Sequence, residues 1–397
     1  MRLQTFYRSH ISVLSSWISA IKTRKIFRHT AGACDLSAYG HQPALVKRTL
    51  TAIILGVLTI SLLFVSGNAE AGKKIKAAEL VKDGQPIDLT QKKYQHLFHE
   101  LKKKYHFSDQ ELHAIFKGQR ISRRVLELMD KQWEARPYYK YAPLFLTRDK
   151  IATGRKKLIQ YKELLDRIEK EIGVDREIVI AIWGIETRYG SRQGRFNVLQ
   201  TLNTLFDAYP RRSKFFRKQL IAFLVLCREN NVDPKSILGS YAGAFGQTQF
   251  IPTSFRAYAV SFDGDTRRDV WHSIPDVLAS IANYLKQFHW TLDAPVYAEL
   301  GHTLNNRQLI AAKLKGRKGR IPWSIVRTAQ QVDIPPSPQN KPLSIIALEL
   351  PPGSRYAFRY VAGYPNFQAI TEWNHSSRYA MAVSELAEAI KEKTGTR

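Results

Sequence analysis

One glutamate of the sequence stands among residues that would keep its carboxyl protonated. Glu186 lies in the segment 175–190, D-R-E-I-V-I-A-I-W-G-I-E-T-R-Y-G, which is helical in pattern, with Asp175 and Gly190 as its predicted ends. On such a helix Glu186 shares a line with Val179 and Trp183, and the positions three and four residues away hold no cation. Apolar neighbours raise the pKa of a carboxyl, which a general acid requires near neutral pH. Taken alone, this pattern also fits a structural glutamate.

A glycine-rich segment follows about fifty residues later and has the composition of a ligand-binding loop. Residues 239–252 read G-S-Y-A-G-A-F-G-Q-T-Q-F-I-P and include Ser240, Tyr241, Gln249 and Phe250. Glycines let a ligand approach the backbone, aromatic rings stack on sugar faces, and an amide both donates to and accepts from hydroxyl and acetamido groups. The alternative is a tight turn between helices, in which Gln249 bonds only its own loop.

Two adjacent arginines suit a negatively charged ligand. Arg211 and Arg212 follow Pro210, and guanidinium groups bind carboxylates through two parallel hydrogen bonds. An exposed pair at the start of a helix explains them equally well.

An acidic segment is a candidate for a structural calcium ion. Residues 261–276 read S-F-D-G-D-T-R-R-D-V-W-H-S-I-P-D, so that Asp263 and Asp265 alternate and Asp276 closes the stretch. Alternating oxygens are typical of a calcium loop, although Ser261 stands where a first aspartate is usual and Thr266 replaces the turn glycine. The alternative is a turn held by the hydrogen bonds of its own aspartates.

The elements that must position these residues are mainly helical. Amphipathic patterns predict one helix over 147–172, and Ser108 is a predicted cap for the helix that follows it. The runs 343–350 and 355–361 predict a β-hairpin, and 379–393 a final helix. The fold class is therefore mainly α (α+β), with a small β portion.

The first 71 residues carry the pattern of an export signal. Lys47 and Arg48 precede the apolar run 50–65, and an A-x-A sequence ends at Ala71. We expect a periplasmic protein released by cleavage there, and translation starting near Val46; the alternative is an uncleaved anchor that keeps the protein at the membrane. No lipobox precedes Cys34, since residues 28–33 lack an apolar stretch.

A large excess of positive charge indicates an anionic partner. The chain carries a formal charge of +27, and residues 1–71 contribute only a small part of it. Nucleic acid would account for the charge but not for the ordered motifs, so we expect no nucleic-acid partner.

Five motifs in order resemble those of the lytic murein transglycosylases of the B type. They are the Glu186 segment, Y-P-R-R at 209–212, the glycine-rich loop, S-I-A-N-Y-L at 280–285 and Y-A-M-A-V at 379–383. The resemblance extends from about residue 92 to the C-terminus. It implies a lysozyme-like catalytic core over 151–397, preceded by a helical region over 72–150. The core would include an EF-hand-like loop at 261–276 and a β region at about 292–363.

The resemblance also implies the reaction and the residues that carry it. Glu186 would be the single acid/base in cleavage of the β-1,4 bond between N-acetylmuramic acid and N-acetylglucosamine, leaving 1,6-anhydro ends without any required cofactor. The residues implied to line the sugar sites are Arg211, Arg212, Ser240, Gln249, Phe250, Tyr284 and Asn374, with Trp373 where relatives often carry tyrosine. Peptidoglycan strands are the expected partner, and a cell-wall synthesis complex is a candidate. A hydrolytic muramidase and a non-catalytic peptidoglycan-binding scaffold are the alternatives.

Overall fold

The computed structural model describes residues 76–131 and 136–391, and this part of the chain is mainly helical. Its α-helices are α1 Lys92–Tyr105, α2 Asp109–Phe116, α3 Arg123–Met129, α4 Tyr138–Tyr141, α5 Arg148–Gln160, α6 Lys162–Glu171, α7 Arg176–Thr187, α8 Val198–Ala208, α9 Ser213–Glu229, α10 Pro252–Tyr258, α11 Ile274–Gln287, α12 Arg307–Leu314, α13 Trp323–Gln330, α14 Pro365–Asn374 and α15 Ser377–Lys391. The mainly α prediction is confirmed.

Two small antiparallel sheets complete these elements. Strands β1 (Phe196–Asn197) and β2 (Leu238–Gly239) form one pair. The other sheet has three strands in the order β3 (Tyr297–Gly301), β5 (Phe358–Gly363) and β4 (Ser344–Glu349). The β4–β5 pairing confirms the predicted hairpin, while β3 adds a third strand that the local pattern did not indicate.

The helix that carries Glu186 lies at the centre of the core. Every residue of α7 from Ile178 to Gly184 is buried, and α5, α6, α11 and α15 all pack against it. A helix that is apolar on all sides is typical of a central position. The first residues of α15 are thereby brought to the end of α7 that carries Glu186.

The single helix predicted over 147–172 is two helices. Tyr161 interrupts it with φ −110° and ψ 27°, between α5 and α6. The ring of Tyr161 lies 6.0 Å from that of Trp183, measured between centroids. The amphipathic pattern continues across the break because Leu158, Leu165 and Ile168 are all buried.

The two ends of α7 are built differently from the sequence prediction. The Asp175 carboxylate makes no capping bond to the helix, and its Oδ2 instead accepts a hydrogen bond of 2.7 Å from Trp290 Nε1. At the other end Arg188, rather than Gly190, is the left-handed cap residue. The predicted cap at Ser108 is confirmed, since its side chain accepts from the Glu111 backbone N–H.

The predicted export signal, its cleavage site at Ala71, the start near Val46 and Cys34 all lie outside the described residues. Within residues 76–131 and 136–391, no helix is long and apolar enough to cross a membrane.

Candidate active site

The Glu186 carboxyl is partly buried and hydrogen-bonded at the end of α7. Tyr379 Oη donates to Glu186 Oε1 over 2.6 Å. Burial raises the pKa of Glu186 to about 7, against smaller lowering effects of hydrogen bonds from Tyr379 and Trp373 and of the Lys150 charge. The carboxyl therefore exists in both protonation states at neutral pH, so it can both give and take a proton.

Tyr379 contacts Glu186 but was not singled out by the sequence analysis. It is buried in the first turn of α15, and burial and the nearby Glu186 raise the pKa of its hydroxyl well above the ordinary value. The hydroxyl consequently stays protonated and acts as a donor to the carboxyl. The available signal was the Y-A-M-A-V motif, which Tyr379 opens.

Lys150 is a second residue that sequence reasoning missed. It is 7 % exposed, and burial, with a smaller effect of Arg188, lowers the pKa of its ammonium to about 8. Its charge favours the ionised form of Glu186. No sequence motif marks this lysine, because it comes from α5 and reaches the site through packing.

Gln247 joins α7 to the glycine-rich loop. Its Oε1 accepts from Trp183 Nε1 over 2.9 Å, and its Nε2 donates to the Trp271 carbonyl over 2.9 Å. Thr187 Oγ1 also donates to the Gln247 carbonyl over 3.2 Å. The loop is thus bonded directly to the helical turns on either side of Glu186, which brings together the two predicted halves of the site.

Ser240 makes hydrogen bonds within the loop, whereas Gln249 bonds both the loop and the segment that follows α7. Ser240 Oγ accepts from the N–H groups of Ala242 and Ala244. Gln249 has φ 50°, and its Nε2 donates to the carbonyls of Gln193 and Gly246 over 3.0 and 2.9 Å. These two bonds use both amide hydrogens, so toward a ligand Gln249 offers Oε1 as an acceptor. Tyr241 is partly exposed, with its ring edge-on to Phe196.

Phe250, Tyr284 and Trp373 form one aromatic cluster. The Trp373 ring lies 5.1 Å from Phe250 and 4.7 Å from Tyr284, between centroids. Phe250 and Tyr284 are buried, and Tyr284 Oη donates to the Glu372 carbonyl over 2.8 Å. Trp373 is partly exposed and lowers the pKa of Glu186 as a hydrogen-bond donor, so this residue connects the cluster to the carboxyl. Asn374 is partly exposed beside it, at the end of α14.

Arg211 and Arg212 have contacts of their own at the turn between α8 and α9. Arg211 Nη2 lies 2.9 Å from Asp130 Oδ1, and Arg211 also donates to Tyr209 Oη. The Arg212 guanidinium packs over the Phe215 ring at 4.2 Å. Both side chains are exposed, and their contacts do not connect them to Glu186.

The carboxylates of the acidic loop at 261–276 accept hydrogen bonds from groups within the same loop. The buried Asp276 accepts from the N–H groups of Phe262 and Asp269 over 2.7 and 2.8 Å. Asp263 accepts from Ser273 Oγ, and Asp265 from the Arg267 N–H. Within the described residues, no group of three or more histidines, cysteines or acids is arranged to hold a metal ion. The hydrogen bonds of these aspartates are those of an aspartate-bonded turn.

Comparison with known proteins identifies the family to which the chain belongs. Residues 90–388 match the model described as the transglycosylase SLT domain. The chain is 33 % identical over 303 residues to the membrane-bound lytic murein transglycosylase B of Escherichia coli K12, covering 72 % of this chain and 79 % of that protein.

Solved structures agree with this match. Slt35 of Escherichia coli, a lytic transglycosylase solved in complex with calcium, is 32 % identical with a TM-score of 0.67, covering 77 % of this chain and 95 % of that one. SltB3 of Pseudomonas aeruginosa, solved with NAG-NAM-pentapeptide, is 34 % identical with a TM-score of 0.65, covering 76 % and 79 %.

Proposed function

This chain belongs to the transglycosylase SLT family and is a peptidoglycan lytic transglycosylase. We propose that Glu186 is the single acid/base of this enzyme. Ordinary glycosidases use two carboxylates. Among the described residues, the groups that shift the pKa of Glu186 are a tyrosine, a tryptophan and a lysine, with no second acid. A single carboxyl suffices if the substrate supplies its own nucleophile.

In the proposed reaction, protonated Glu186 donates its proton to the glycosidic oxygen between N-acetylmuramic acid and N-acetylglucosamine. The C1–O bond breaks, and the 2-acetamido oxygen of the muramyl residue stabilises the developing cation. The muramyl 6-hydroxyl then attacks C1 while ionised Glu186 removes the hydroxyl proton. The glycan end becomes 1,6-anhydromuramic acid, no water is consumed, and Glu186 is protonated again.

The neighbours of Glu186 have separate parts in this proposal. Tyr379 holds Oε1 in place and, with Lys150, stabilises the ionised form between the two proton transfers. Trp373 offers a ring to a sugar face, and Gln249 Oε1 accepts from an acetamido N–H. Ser240 holds the loop conformation through its hydrogen bonds to the backbone. Phe250 and Tyr284 pack against the Trp373 ring and fix its position.

The observation that carries the proposal is the position of the Glu186 carboxyl, which is hydrogen-bonded by Tyr379 Oη over 2.6 Å and lies between the two residues of α7 that bond the glycine-rich loop. It is tested by digesting purified peptidoglycan with the protein and weighing the muropeptides. We expect anhydro ends, and no turnover from Glu186→Gln with strand binding retained. Products heavier by one water would instead indicate hydrolysis, and full activity of Glu186→Gln would refute the assignment of the acid.

For Arg211 and Arg212 we propose binding of carboxylates on the substrate outside the immediate site of cleavage. Their exposure and charge support this proposal. The Asp130 partner of Arg211 fits the competing structural interpretation equally well, so Arg212 is the better candidate.

We propose that the protein acts in the periplasm, with the helical region 72–150 preceding the catalytic core 151–397. The support is the signal-like pattern before Ala71 and a substrate found outside the cytoplasm. Membrane attachment would follow only if the apolar run 50–65 is retained. A cell-wall synthesis complex is the proposed protein partner, and no nucleic acid is required.

We infer that the 261–276 loop of this chain folds without calcium, in contrast to the calcium-containing structure of Slt35. The hydrogen bonds of Asp263, Asp265 and Asp276 support this inference. Thermal unfolding should give the same Tm with excess EDTA and with millimolar calcium, whereas Asp276→Asn should lower Tm in both solutions. A rise in Tm on adding calcium that Asp263→Asn abolishes would contradict the inference.

A further inference from the structure

The turn between α14 and α15 carries two neighbours of the Glu186 carboxyl. Trp373 lies at the end of α14, and Tyr379 lies in the first turn of α15, where Ser376 Oγ accepts from its backbone N–H over 3.2 Å. The first N–H groups of a helix have no partner within the helix, and helix ends open more readily than helix centres. The position of the Tyr379 hydroxyl on Glu186 therefore depends on what holds this turn.

An ion pair connects the start of α15 to the end of β4. Arg378, which directly precedes Tyr379, donates to both carboxylate oxygens of Glu349, with Nε 3.3 Å from Oε2. Glu349 Oε2 also accepts from the Tyr138 N–H over 3.0 Å. The side chains of Arg378 and Glu349 are 32 % and 28 % exposed, and a contact with two hydrogen bonds fixes geometry as well as charge. Glu349 therefore ties the residue before Tyr379 to the sheet and to α4.

A second ion pair connects the end of α14 to the turn that follows α12. Arg317 Nη1 donates to Glu372 Oε1 over 2.5 Å, and Glu372 directly precedes Trp373. A cavity of about 350 Å³ lies beside both ion pairs, and its lining includes both arginines, strand residues 344–347 and turn residues 375–377. Where this cavity separates the turn from β4, packed side chains do not join them. The two ion pairs bridge that gap.

We propose that Glu349 and Arg317 are positioning residues of the reaction, through which the β region holds the turn between α14 and α15. Glu349 holds Tyr379 in place, and Arg317 does the same for Trp373. Both act through the residue that they hold rather than on the carboxyl itself. The inference rests on the proposed function, because it takes the Tyr379 hydroxyl to act on the acid. A displacement of about 1 Å at a reacting group can cost roughly a hundredfold in rate.

The variant Glu349→Gln distinguishes positioning from a simple effect of charge. Loss of an acid leaves its surroundings more positive, which by charge alone would lower the pKa of Glu186. A loosened Tyr379 hydroxyl would instead raise that pKa, because its hydrogen bond favours the ionised form. We expect the second result. The alkaline limb of the pH–rate profile and the carbon-13 NMR midpoint of Glu186 should both move to higher pH, and kcat should fall about fivefold.

Glu100→Gln is the matched control for this variant. The side chains of Glu100 and its partner Arg217 are 24 % and 27 % exposed, and the pair lies in the N-terminal helical region. Glu100→Gln should therefore lower Tm about as much as Glu349→Gln while kcat and the pH profile stay unchanged. In a Tyr379→Phe background, Glu349→Gln should have no further effect on kcat, since the hydroxyl that it positions is already absent.

Arg317→Gln tests the second ion pair in the same way. Its kcat should fall in the otherwise unmodified protein and change little in a Trp373→Phe background. Losses of kcat that persist in full in the double variants, or a Glu186 midpoint that is unchanged or lower in Glu349→Gln, would overturn the inference. If Tyr379→Phe alone keeps full activity, the proposed role of that hydroxyl fails instead. The Glu186 midpoint then decides alone: a rise in Glu349→Gln supports the positioning role, and no rise overturns it.

Discussion

At the scale of single residues, the Glu186 carboxyl has opposing influences on its proton. Burial raises its pKa, while Tyr379, Trp373 and Lys150 lower it from a still higher value. Burial without these partners would make a carboxyl that gives up its proton too rarely, and the partners without burial would make a permanent anion. A pKa close to the working pH is the condition for a group that must serve as acid and then as base.

Replacement of Tyr379 by phenylalanine tests the role of its hydroxyl. Tyr379→Phe removes the donor to Glu186 Oε1, so we expect kcat/KM to fall about tenfold because the carboxyl is less firmly held. The lost bond favoured the ionised form, so the pKa of Glu186 should rise. The alkaline limb of the pH–rate profile should therefore move to higher pH.

The control for this change is Tyr364→Phe. Tyr364 is also buried and its hydroxyl donates to the Pro335 carbonyl, in the β region of the chain. Its removal should lower stability without moving the pH profile. Equal pH profiles for Tyr379→Phe and the unmodified protein would show that the hydroxyl does not act on the acid.

Sequence reasoning reached Glu186 but not its hydroxyl partner. Glu186 lies in a local pattern of apolar residues, whereas Tyr379 is 193 residues further along the chain. Only the packing of α15 on α7 brings the two together, and neither residue's local pattern encodes that packing. Lys150 was missed for the same reason, because an isolated lysine in a basic sequence gives no signal.

At the scale of elements, the left-handed turn that ends α7 packs against the glycine-rich loop. Gly190 has φ 86°, and a Cβ there would lie 2.3 Å from Gln247 Oε1. The glycine is therefore needed both for its backbone conformation and for the close approach of Gln247. A Cβ at this position would displace Gln247, whose hydrogen bonds join the loop to α7.

Gly190→Ala should consequently destabilise the protein and impair catalysis. We expect the free energy of unfolding to fall by roughly 2–4 kcal/mol, from backbone strain plus displacement of a buried amide. Gly353→Ala is a matched control, because Gly353 has φ 85° and open space around it. That variant should lose only about 1–2 kcal/mol and keep full activity. Equal losses in chemical denaturation would exclude a role for the Gln247 contact.

The elements themselves were mostly predictable, and the departures have local causes. The apolar stripe of 147–172 continues through Tyr161, so periodicity alone could not reveal the break that places this ring near Trp183. The sequence predicts Asp175 as a helix cap because capping is judged only from residues nearby in the chain. Its actual partner, Trp290, comes from a distant part of the chain.

At the scale of the whole molecule, the formal charge of +27, most of which lies after the predicted cleavage site, suits a polyanionic wall. Binding to intact peptidoglycan should weaken several-fold as salt rises from low concentration to well above physiological levels. Binding of an uncharged chitin oligosaccharide should change little over the same range. Co-sedimentation measures the first and calorimetry the second. Equal salt dependence of the two would show that net charge does not contribute to wall binding.

The proposed mechanism depends most directly on the protonation of Glu186 in the folded protein. Titration of the glutamate side-chain carbons by carbon-13 NMR, with the Glu186 signal identified by its loss in Glu186→Gln, measures that pKa. We expect a midpoint of about 7 if Glu186 is the acid/base of this mechanism. A midpoint near the ordinary glutamate value of about 4.3 would contradict it, because the carboxyl would then hold no proton to donate at neutral pH.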